Sequence, residues 1–452
     1  MKKILTICAL FLSFQLLAQQ LLVSGPMLGY VEHREALIWL EVAPSVKTVA
    51  IRFQEKGKPQ TARTVAYEGT LGKRYNPIKI ELDDLNMNTE YVYDVLINEK
   101  KTALPFATTL KTKKIWEWRE KAPDFSFLVG SCFYLNDPPY DRPGKPYGQN
   151  PKILETMGDV PSDFMLWGGD NLYFREADYS SESGIDYRYS FNFQTPEMQK
   201  LRATRANYAI WDDHDYGSND SDKSYELKDY ALETFKKYWG NKSFGEPDNK
   251  GVYTKFRWSD CDFFMLDDRY YRSADDMPDT INGKSNPDKI FFGTKQMEWL
   301  KNSLISSNAT FKFILSGGQM LNPMAKDKEC FLGYSYEWQE LMDFIVNNKI
   351  KGLVFLTGDR HFSELIKFQP EGFYPLYEFT CSAVTSGVAI PNKAEQANPM
   401  RVAGTMLLEN NFGKISISGE KDKRQLRIET LDINGMQKWQ YIINENDLKI
   451  KQ

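Results

Sequence analysis

Short apolar runs that alternate with helix-like stretches constrain the fold of this chain most strongly. In "SDFMLWGGDNLYF" an apolar run stops at two glycines, and polar residues follow at once. Such runs fit buried strands, and stretches with helical spacing lie between them at 224–240, 294–308 and 336–352. The alternation predicts an α/β fold around a sheet that is covered on both faces. The predicted strands are "FSFLVG", "SDFMLW", "RANYAIW", "CDFFML", "FKFILS", "KGLVFLT" and "LYEFT".

The part of the chain before residue 112 has a different, all-β character. Runs such as "ALIWLEV", "KTVAIRFQ", "PIKIEL" and "YVYDVLIN" are β-branched or alternating, and turn residues separate them. In "LNMNTEY", Tyr91 is placed as in a tyrosine corner, where the phenol ties a loop to the following strand. We expect a fibronectin-III-like sandwich at 19–112, a polar linker in "TLKTKKIWEWREKAP", and a second domain at 113–452 that ends in a hairpin around Asn434–Gly435.

The N-terminal residues predict export. "MKKILTICALFLSFQLLAQQ" begins with two lysines, continues with an apolar core and ends near Ala18, which is typical of a signal peptide of residues 1–18. We therefore expect a periplasmic or extracellular protein, and no later run is long enough to span a bilayer. The net charge of −4 gives no electrostatic basis for binding nucleic acid. We expect a monomer.

Polar and small residues follow five of the predicted strands. In open α/β sheets, sites assemble where strand ends meet, so these residues are expected to lie together. Two of the three histidines are among them, whereas His33 lies in the polar "EHRE" and is expected to be exposed. The strand-end residues are Ser131–Cys132, then Asp170, Asn171 and Tyr173, then Asp212 to Asp215, then Gly317 to Gln319, and finally Asp359, Arg360 and His361.

The donor types at these strand ends favour a metal centre. A phenol, with a pKa of about 10, binds a metal well only if a strongly polarising cation deprotonates it, and Fe(III) fits that requirement. A carboxylate-rich neighbouring position suits a harder cation such as Ca(II) or Mg(II). A carboxylate shared by two ions roughly 3.5–4 Å apart is a usual arrangement for phosphoester chemistry.

The motifs "GSC", "GGDNLY", "AIWDDHD", "GDRHFSEL" and "TCSAVTSG", with "SGPMLGYV" before them, resemble the alkaline phosphatase D family of metallophosphoesterases. The resemblance covers nearly the whole chain after the leader. It implies a four-layer αββα metallophosphoesterase domain that holds one Fe(III) and one or two Ca(II) ions. Carried onto this sequence, it implies metal ligands at Cys132, Asp170 and Tyr173 for iron, with Asp170 bridging to calcium, and at Asp213, Asp359 and His361 for the rest of the shell. It also implies that His214 faces the phosphate.

Several of these assignments leave alternatives open. Cys132 is a ligand, a structural thiol or a half-cystine. Arg360 contacts phosphate or forms a salt bridge to Glu364 or a nearby acid. Gln319 binds metal or caps the strand end, and Asn219 has no assigned place.

The sequence predicts an exported alkaline phosphatase or phosphodiesterase in which a metal-bound hydroxide attacks phosphorus in line and His214 assists the leaving oxygen. Its substrate is a small or polymeric phosphoester. An alternative is a phospholipase D-like or teichoic-type phosphodiesterase, which needs the same metals. A non-enzymatic exported module that binds a glycan or protein is disfavoured, because such a module has no reason to keep ligands at five strand ends.

Overall fold

A computed structural model describes residues 21–325 and 329–450. The predicted signal peptide of residues 1–18 lies outside these residues. The strands of the described chain are β1 Leu22–Val31, β2 Ala36–Val42, β3 Val49–Glu55, β4 Arg63–Ala66, β5 Asn76–Leu82, β6 Glu90–Ile97, β7 Lys100–Lys101, β8 Thr109–Lys111, β9 Phe125–Gly130, β10 Phe164–Gly168, β11 Ala206–Ile210, β12 Thr254–Trp258, β13 Cys261–Met265, β14 Thr280–Ile281, β15 Lys284–Ser285, β16 Phe311–Leu315, β17 Leu353–Thr357, β18 Glu364–Phe368, β19 Leu376–Thr380, β20 Asn411–Ser418, β21 Gln425–Asp432 and β22 Gln437–Asn444.

The α-helices of the same residues are α1 Lys152–Asp159, α2 Glu182–Phe193, α3 Pro196–Ala203, α4 Asp213–Tyr216, α5 Lys228–Tyr238, α6 Thr294–Ser306, α7 Ser335–Asn347 and α8 Lys393–Gln396. Short 3₁₀ turns lie at Pro59–Thr61, Pro323–Ala325, Phe331–Gly333 and Glu445–Leu448. Among the described residues, no helix has the length and apolar character needed to cross a bilayer.

The N-terminal region is all-β, as predicted. Strands β1, β2 and β5 form one antiparallel sheet, and β3, β4, β6, β7 and β8 form a second. In β3, buried residues alternate with more exposed ones, which is the pattern of a sheet with one wet face. The phenol of Tyr91 accepts a hydrogen bond from the backbone N–H of Asn86 at 2.7 Å, so it ties the loop as predicted.

Strand β2, in contrast, is buried along its whole length. It packs against helices of the following region, where Trp39 lies 4.9 Å from the ring of Phe193 and donates its indole N–H to the carbonyl of Lys237 at 2.9 Å. Strand β2 is therefore covered on both faces, which explains why "ALIWLEV" does not alternate.

Two mixed six-stranded sheets form the core of the region after residue 124 in the described chain. The first has the order β11-β10-β9-β20-β21-β22, and the second has the order β12-β13-β16-β17-β19-β18. Strands β9, β10 and β11 are parallel to one another, as are β13, β16, β17 and β19. The parallel strands of each sheet therefore end at one edge, and the polar strand-end residues are collected there.

The two sheets pack against each other through aromatic side chains. Phe127 of β9 lies 5.2 Å from Phe263 of β13 and 5.4 Å from Phe313 of β16, both in edge-to-face geometry. Tyr208 of β11 stacks on Phe256 of β12 at 3.7 Å. The high aromatic content of the chain is thus placed largely in the interior, where each ring buries a large apolar area.

The predicted strands and helices of this region are present, with small differences at their ends. The helix-like stretch 224–240 extends to Gly240, but helix α5 ends at Tyr238 and Trp239 is its C-cap residue. Gly240 instead lies against β1, where a Cβ would come within 2.5 Å of the Cα of Gly29. Its small size therefore serves the contact with the N-terminal sheet. Strands β12, β14, β15, β18 and β20 were not predicted.

Candidate metal centre

Four of the predicted metal ligands have a left-handed backbone. The φ angles are 63° for Cys132, 52° for Asp170, 64° for Asp359 and 58° for His361. Few non-glycine residues adopt this conformation, and it costs about 1–3 kcal/mol where it occurs. Each of these residues follows a strand closely, so the strain is concentrated at the edge where the parallel strands end.

Gly169 allows the chain to deliver Asp170 directly after strand β10. Its φ of 93° disfavours other residues, and a Cβ would lie 2.8 Å from the Cβ of Asp212. The turn brings the phenol of Tyr173 back to the Asp170 carboxylate, where its Oη donates to Oδ2 at 2.8 Å. The turn formed by "GGDNLY" therefore places the carboxylate of Asp170 and the phenol of Tyr173 side by side.

Cys132, Asp170 and His361 form the first ligand group, in which the donor atoms all lie within 4.8 Å of one another. The sulfur of Cys132 is 3.6 Å from Asp170 Oδ2. The phenol of Tyr173 lies 3.2 Å from His361 Nε2, so Tyr173 borders the same space. All except His361 are buried.

The neighbours of His361 fix which of its nitrogens faces this group. Nδ1 lies 2.8 Å from the carbonyl oxygen of Gly387 and 2.8 Å from the hydroxyl of Tyr147. A carbonyl oxygen only accepts hydrogen bonds, so Nδ1 carries the proton and Nε2 keeps its lone pair. A histidine that donates one N–H to a backbone carbonyl and offers the other nitrogen is arranged as metal-binding histidines are.

Asp170 also belongs to a second ligand group, with Asp213 and His214. The backbone N–H of His214 donates to Asp170 Oδ1 at 3.3 Å, and its Nε2 lies 3.7 Å from Asp213 Oδ2. The His214 ring packs 4.1 Å from the ring of Tyr173. The side chain of His214 is 21% exposed, whereas that of Asp213 is 3% exposed, so the imidazole forms part of the accessible wall.

The electrostatics of the centre favour the binding of a cation. Burial, followed by the charges of Asp213 and Cys132, raises the pKa of Asp170 well above its ordinary value. Burial raises the pKa of Asp359 to about 6 and that of the Cys132 thiol to about 11. Burial also lowers the pKa of His361, which keeps the imidazole neutral. A multivalent cation placed among these donors would be stabilised by each of them.

Comparison with known proteins identifies the family. The profile of the family described as "PhoD-like phosphatase" matches residues 146–428, which is more than half of the chain. The chain belongs to the PhoD-like phosphatase family. Residues 19–115 match a domain of unknown function, DUF7800.

One curated relative resembles the chain in sequence, and two solved structures share its fold. Alkaline phosphatase D of Bacillus subtilis (strain 168) is 23% identical over 383 residues, covering 72% of this chain and 62% of the relative. This chain therefore spans less than two thirds of that relative. A solved structure of PhoD matches with a TM-score of 0.74 and 16% identity, covering 94% of this chain and 89% of that one. Purple acid phosphatase PPD1 from yellow lupin matches with a TM-score of 0.59 and 12% identity, covering 94% and 76%.

Asp359 and Arg360 follow strand β17 of the PhoD-like fold, but they make fewer contacts with the ligand groups. The backbone carbonyl of Asp359 lies 3.7 Å from the Cys132 sulfur, and its carboxylate lies 4.0 Å from Arg360 Nε. Arg360 donates to Gln319 at 3.0 Å and pairs with Glu395. Of the acids left open as partners of Arg360, Glu395 is the one it pairs with, whereas Glu364 pairs with Arg401.

Contacts at the edge where the parallel strands end bear on the alternatives left open for Gln319 and Cys132. Gln319 is fully buried and donates to Glu364 at 2.9 Å and to Thr380 at 2.8 Å, which favours the capping role over metal binding. Cys132 is a free thiol in the described chain, so it is not a half-cystine.

A third acidic group extends the centre and was missed by the sequence analysis. Its members are Asp213, Asp220 and Glu329. The guanidinium of Arg269 is fully buried, pairs with Asp212 at 2.6 Å and with Glu329, and lies 3.8 Å from Asp213. No pattern in the sequence singles out Glu329.

Proposed function

We propose that this chain is a metal-dependent phosphoester hydrolase that acts on phosphomonoesters or phosphodiesters. The observation that carries the proposal is the position of Asp170, which belongs to two adjacent ligand groups. A carboxylate shared in this way allows two cations to sit side by side. The family and the phosphatase-like fold support the same reaction class.

The donors divide by chemical type between two cations. Cys132, Asp170, Tyr173 and the Nε2 of His361 offer a thiolate, a carboxylate, a phenolate and an imidazole, which suit Fe(III). Asp170, Asp213 and Asp359 offer carboxylates, which suit Ca(II). When bound, such cations supply Lewis acidity toward phosphoryl oxygens and lower the pKa of water.

His214 and Arg360 are proposed to act on the substrate. His214 is partly exposed beside both ligand groups, so it is placed to donate a hydrogen bond to a phosphoryl or leaving-group oxygen. Arg360 uses some of its five N–H donors on Gln319 and Glu395, and the others remain for phosphate. Both side chains would stabilise charge that develops in the transition state.

The finer features of the fold and location are proposals as well. Residues 19–112 form a fibronectin-III-like sandwich, which the two antiparallel N-terminal sheets support. Residues 113–452 form a four-layer αββα domain, which the packing of the two mixed sheets supports. The protein is a monomer that is exported to the periplasm or the extracellular space, as the leader-like residues 1–18 indicate.

The proposed reaction is tested by metal analysis of protein purified without chelator, together with hydrolysis of p-nitrophenyl phosphate and bis-p-nitrophenyl phosphate. We expect iron and calcium in the protein and release of p-nitrophenol. Faster hydrolysis of the second compound would identify a diester preference. Protein that holds both metals but hydrolyses neither compound would contradict the proposal.

Removal of calcium is expected to abolish the activity reversibly. The second ligand group is rich in carboxylate oxygens. A calcium-selective chelator such as EGTA competes with these oxygens for the Ca(II) ion. Activity measured after dialysis should return on addition of Ca(II). Recovery with Zn(II) but not with Ca(II) would overturn the calcium assignment.

Tyr173→Phe is expected to remove or strongly shift the colour of the oxidised protein. A phenolate bound to Fe(III) gives a ligand-to-metal charge-transfer band in the visible range, and the substitution deletes only the phenol oxygen. Asp170 and Cys132 still hold some metal, so activity should be reduced but measurable. Tyr134→Phe is the matched control, because Tyr134 packs 5.1 Å from Tyr173 but donates its hydroxyl to Asp141. Because the proposed iron–sulfur bond to Cys132 gives a charge-transfer band of its own, the comparison is with the wild-type spectrum: a visible spectrum that is unchanged in Tyr173→Phe would exclude the iron–phenolate bond.

A further inference from the structure

The side chain of Ser382 connects two of the ligand-bearing segments. Its Oγ lies 3.0 Å from the sulfur of Cys132 and 2.9 Å from the backbone nitrogen of His361. Ser382 is fully buried, as is Cys132. It comes from the segment after strand β19, in "TCSAVTSG", whereas Cys132 follows β9 and His361 follows β17.

The direction of these two hydrogen bonds follows from their partners. A backbone N–H only donates, so the Ser382 oxygen accepts from His361 and its own proton is left for another partner. The sulfur of Cys132 lies in hydrogen-bond range and accepts that proton. The hydroxyl therefore stabilises negative charge on the sulfur, which is the charge that a metal-bound thiolate carries.

The neighbouring hydroxyl of Ser131 is placed differently. It lies 3.4 Å from the same sulfur, but it donates to the carbonyl oxygen of Cys381 at 3.0 Å. A hydroxyl has one proton, so Ser131 has none left for the sulfur while that bond is made. Two buried serines thus lie next to the Cys132 thiol, and of these Ser382 donates a hydrogen bond to the sulfur whereas Ser131 does not.

Ser382 is itself held by a network that includes no predicted metal ligand. Its backbone N–H donates to Ser363 Oγ at 3.1 Å, and Ser363 donates to Asn411 Oδ1 at 2.7 Å. The side-chain amide of Asn411 also donates to the Ser382 carbonyl at 3.2 Å. The hydroxyl is therefore held in position by strand β20 as well as by the ligand segments.

We propose that Ser382 is a positioning residue that orients and polarises the Cys132 sulfur for metal binding, which rests on the proposed function. Partners of this kind fix the direction of a ligand and tune the metal–sulfur bond, and their loss typically costs about 10- to 100-fold in metal affinity or activity. A hydrogen bond to sulfur also withdraws electron density from it, so its removal shifts the energy of the sulfur-to-metal charge transfer.

The test compares Ser382→Ala with Ser131→Ala, because each removes one buried hydroxyl beside the same sulfur. Iron affinity is measured by competition with a chelator, and the visible spectrum is recorded for each iron-loaded protein. Ser382→Ala should lose about 10- to 100-fold in iron affinity and shift the charge-transfer band. Ser131→Ala should keep the wild-type affinity and band. Ser382→Thr, which retains the hydroxyl, should keep much of the wild-type iron affinity and a charge-transfer band close to that of the wild type.

A second measurement does not depend on metal. The S–H stretching band of Cys132 in the metal-free protein, assigned by its loss in Cys132→Ser, should shift in Ser382→Ala, because the sulfur then loses the hydrogen bond that it accepts from Ser382. Iron binding by the wild type with equal behaviour of the two alanine variants would overturn the role of Ser382 and leave the proposed function standing. A wild type that binds no iron would overturn the metal-dependent part of both proposals.

Discussion

Asp170→Asn is expected to abolish phosphoester hydrolysis without unfolding the protein. Asp170 is the one residue shared by the first and second ligand groups, so this substitution weakens both proposed metal positions at once. The transition-state stabilisation that such cations supply is several kcal/mol, so the loss in turnover is on the order of 10³-fold or more.

The fold should tolerate the substitution because the charge of Asp170 opposes folding in the metal-free protein. Burial and the neighbouring acids raise its pKa, which means that the ionised form is disfavoured in the folded state. Asparagine has the same shape and no charge. Thermal unfolding of the metal-free variant should therefore occur at or above the temperature of the metal-free wild type.

Asp267→Asn is the matched control for a buried carboxylate at a strand end. Asp267 accepts hydrogen bonds from the indole of Trp211 and the backbone N–H of Val252, both at 2.8 Å, and it belongs to none of the ligand groups found among the described residues. This control should lose stability and keep its metals, which is the opposite of the result for Asp170→Asn. Turnover like that of the wild type in Asp170→Asn would exclude a bridging role.

The part of the centre that could be predicted from the sequence lies directly after apolar strands. Cys132, Asp170, Asp213 and His361 each follow such a run closely, and the parallel arrangement of the strands brings their ends together. Three of these four residues, Cys132, Asp170 and His361, have a left-handed backbone. The sequence does not indicate this conformation, because glycine is the residue type that usually marks it.

The part that could not be predicted depends on contacts between distant segments. Glu329 reaches the centre through Arg269, and Ser382 reaches Cys132 across 250 positions of the chain. Strand β20 pairs antiparallel with β9 in the middle of the first mixed sheet, although its sequence is no more apolar than that of an edge strand. A single sequence carries no record of such pairings.

The partner of Arg360 shows the same limit at shorter range. Glu364 is close to Arg360 in the sequence, but it lies in strand β18, where its carboxylate pairs with Arg401 at 2.6 Å. The acid that reaches Arg360 is Glu395 in helix α8. The helices and loops that cover a strand end decide which side chains meet there. Separation along the sequence therefore predicts such ion-pair partners poorly.

His214→Ala is expected to reduce turnover by about 10²- to 10³-fold while the metal content stays close to that of the wild type. A loss of this size is typical when one positioned hydrogen-bond donor is removed from a transition state. Burial lowers the pKa of His214, so the imidazole is neutral at alkaline pH and still donates through one N–H. Its contribution should therefore persist as the pH rises, and the variant should be impaired about equally from pH 7 upward.

The same variant separates the two roles that the position of His214 allows, because the imidazole is partly exposed and also has a ring nitrogen within 4.8 Å of carboxylate oxygens of Asp170 and Asp213. If His214 donates a hydrogen bond to the substrate, its loss leaves the metal content unchanged. If His214 is a metal ligand, the iron or calcium content falls in parallel with the turnover. His33→Ala is the control, since His33 lies in the N-terminal region and should change neither quantity. Parallel loss of metal and turnover in His214→Ala alone would therefore assign His214 to the metal shell and leave Arg360 as the proposed contact to phosphate.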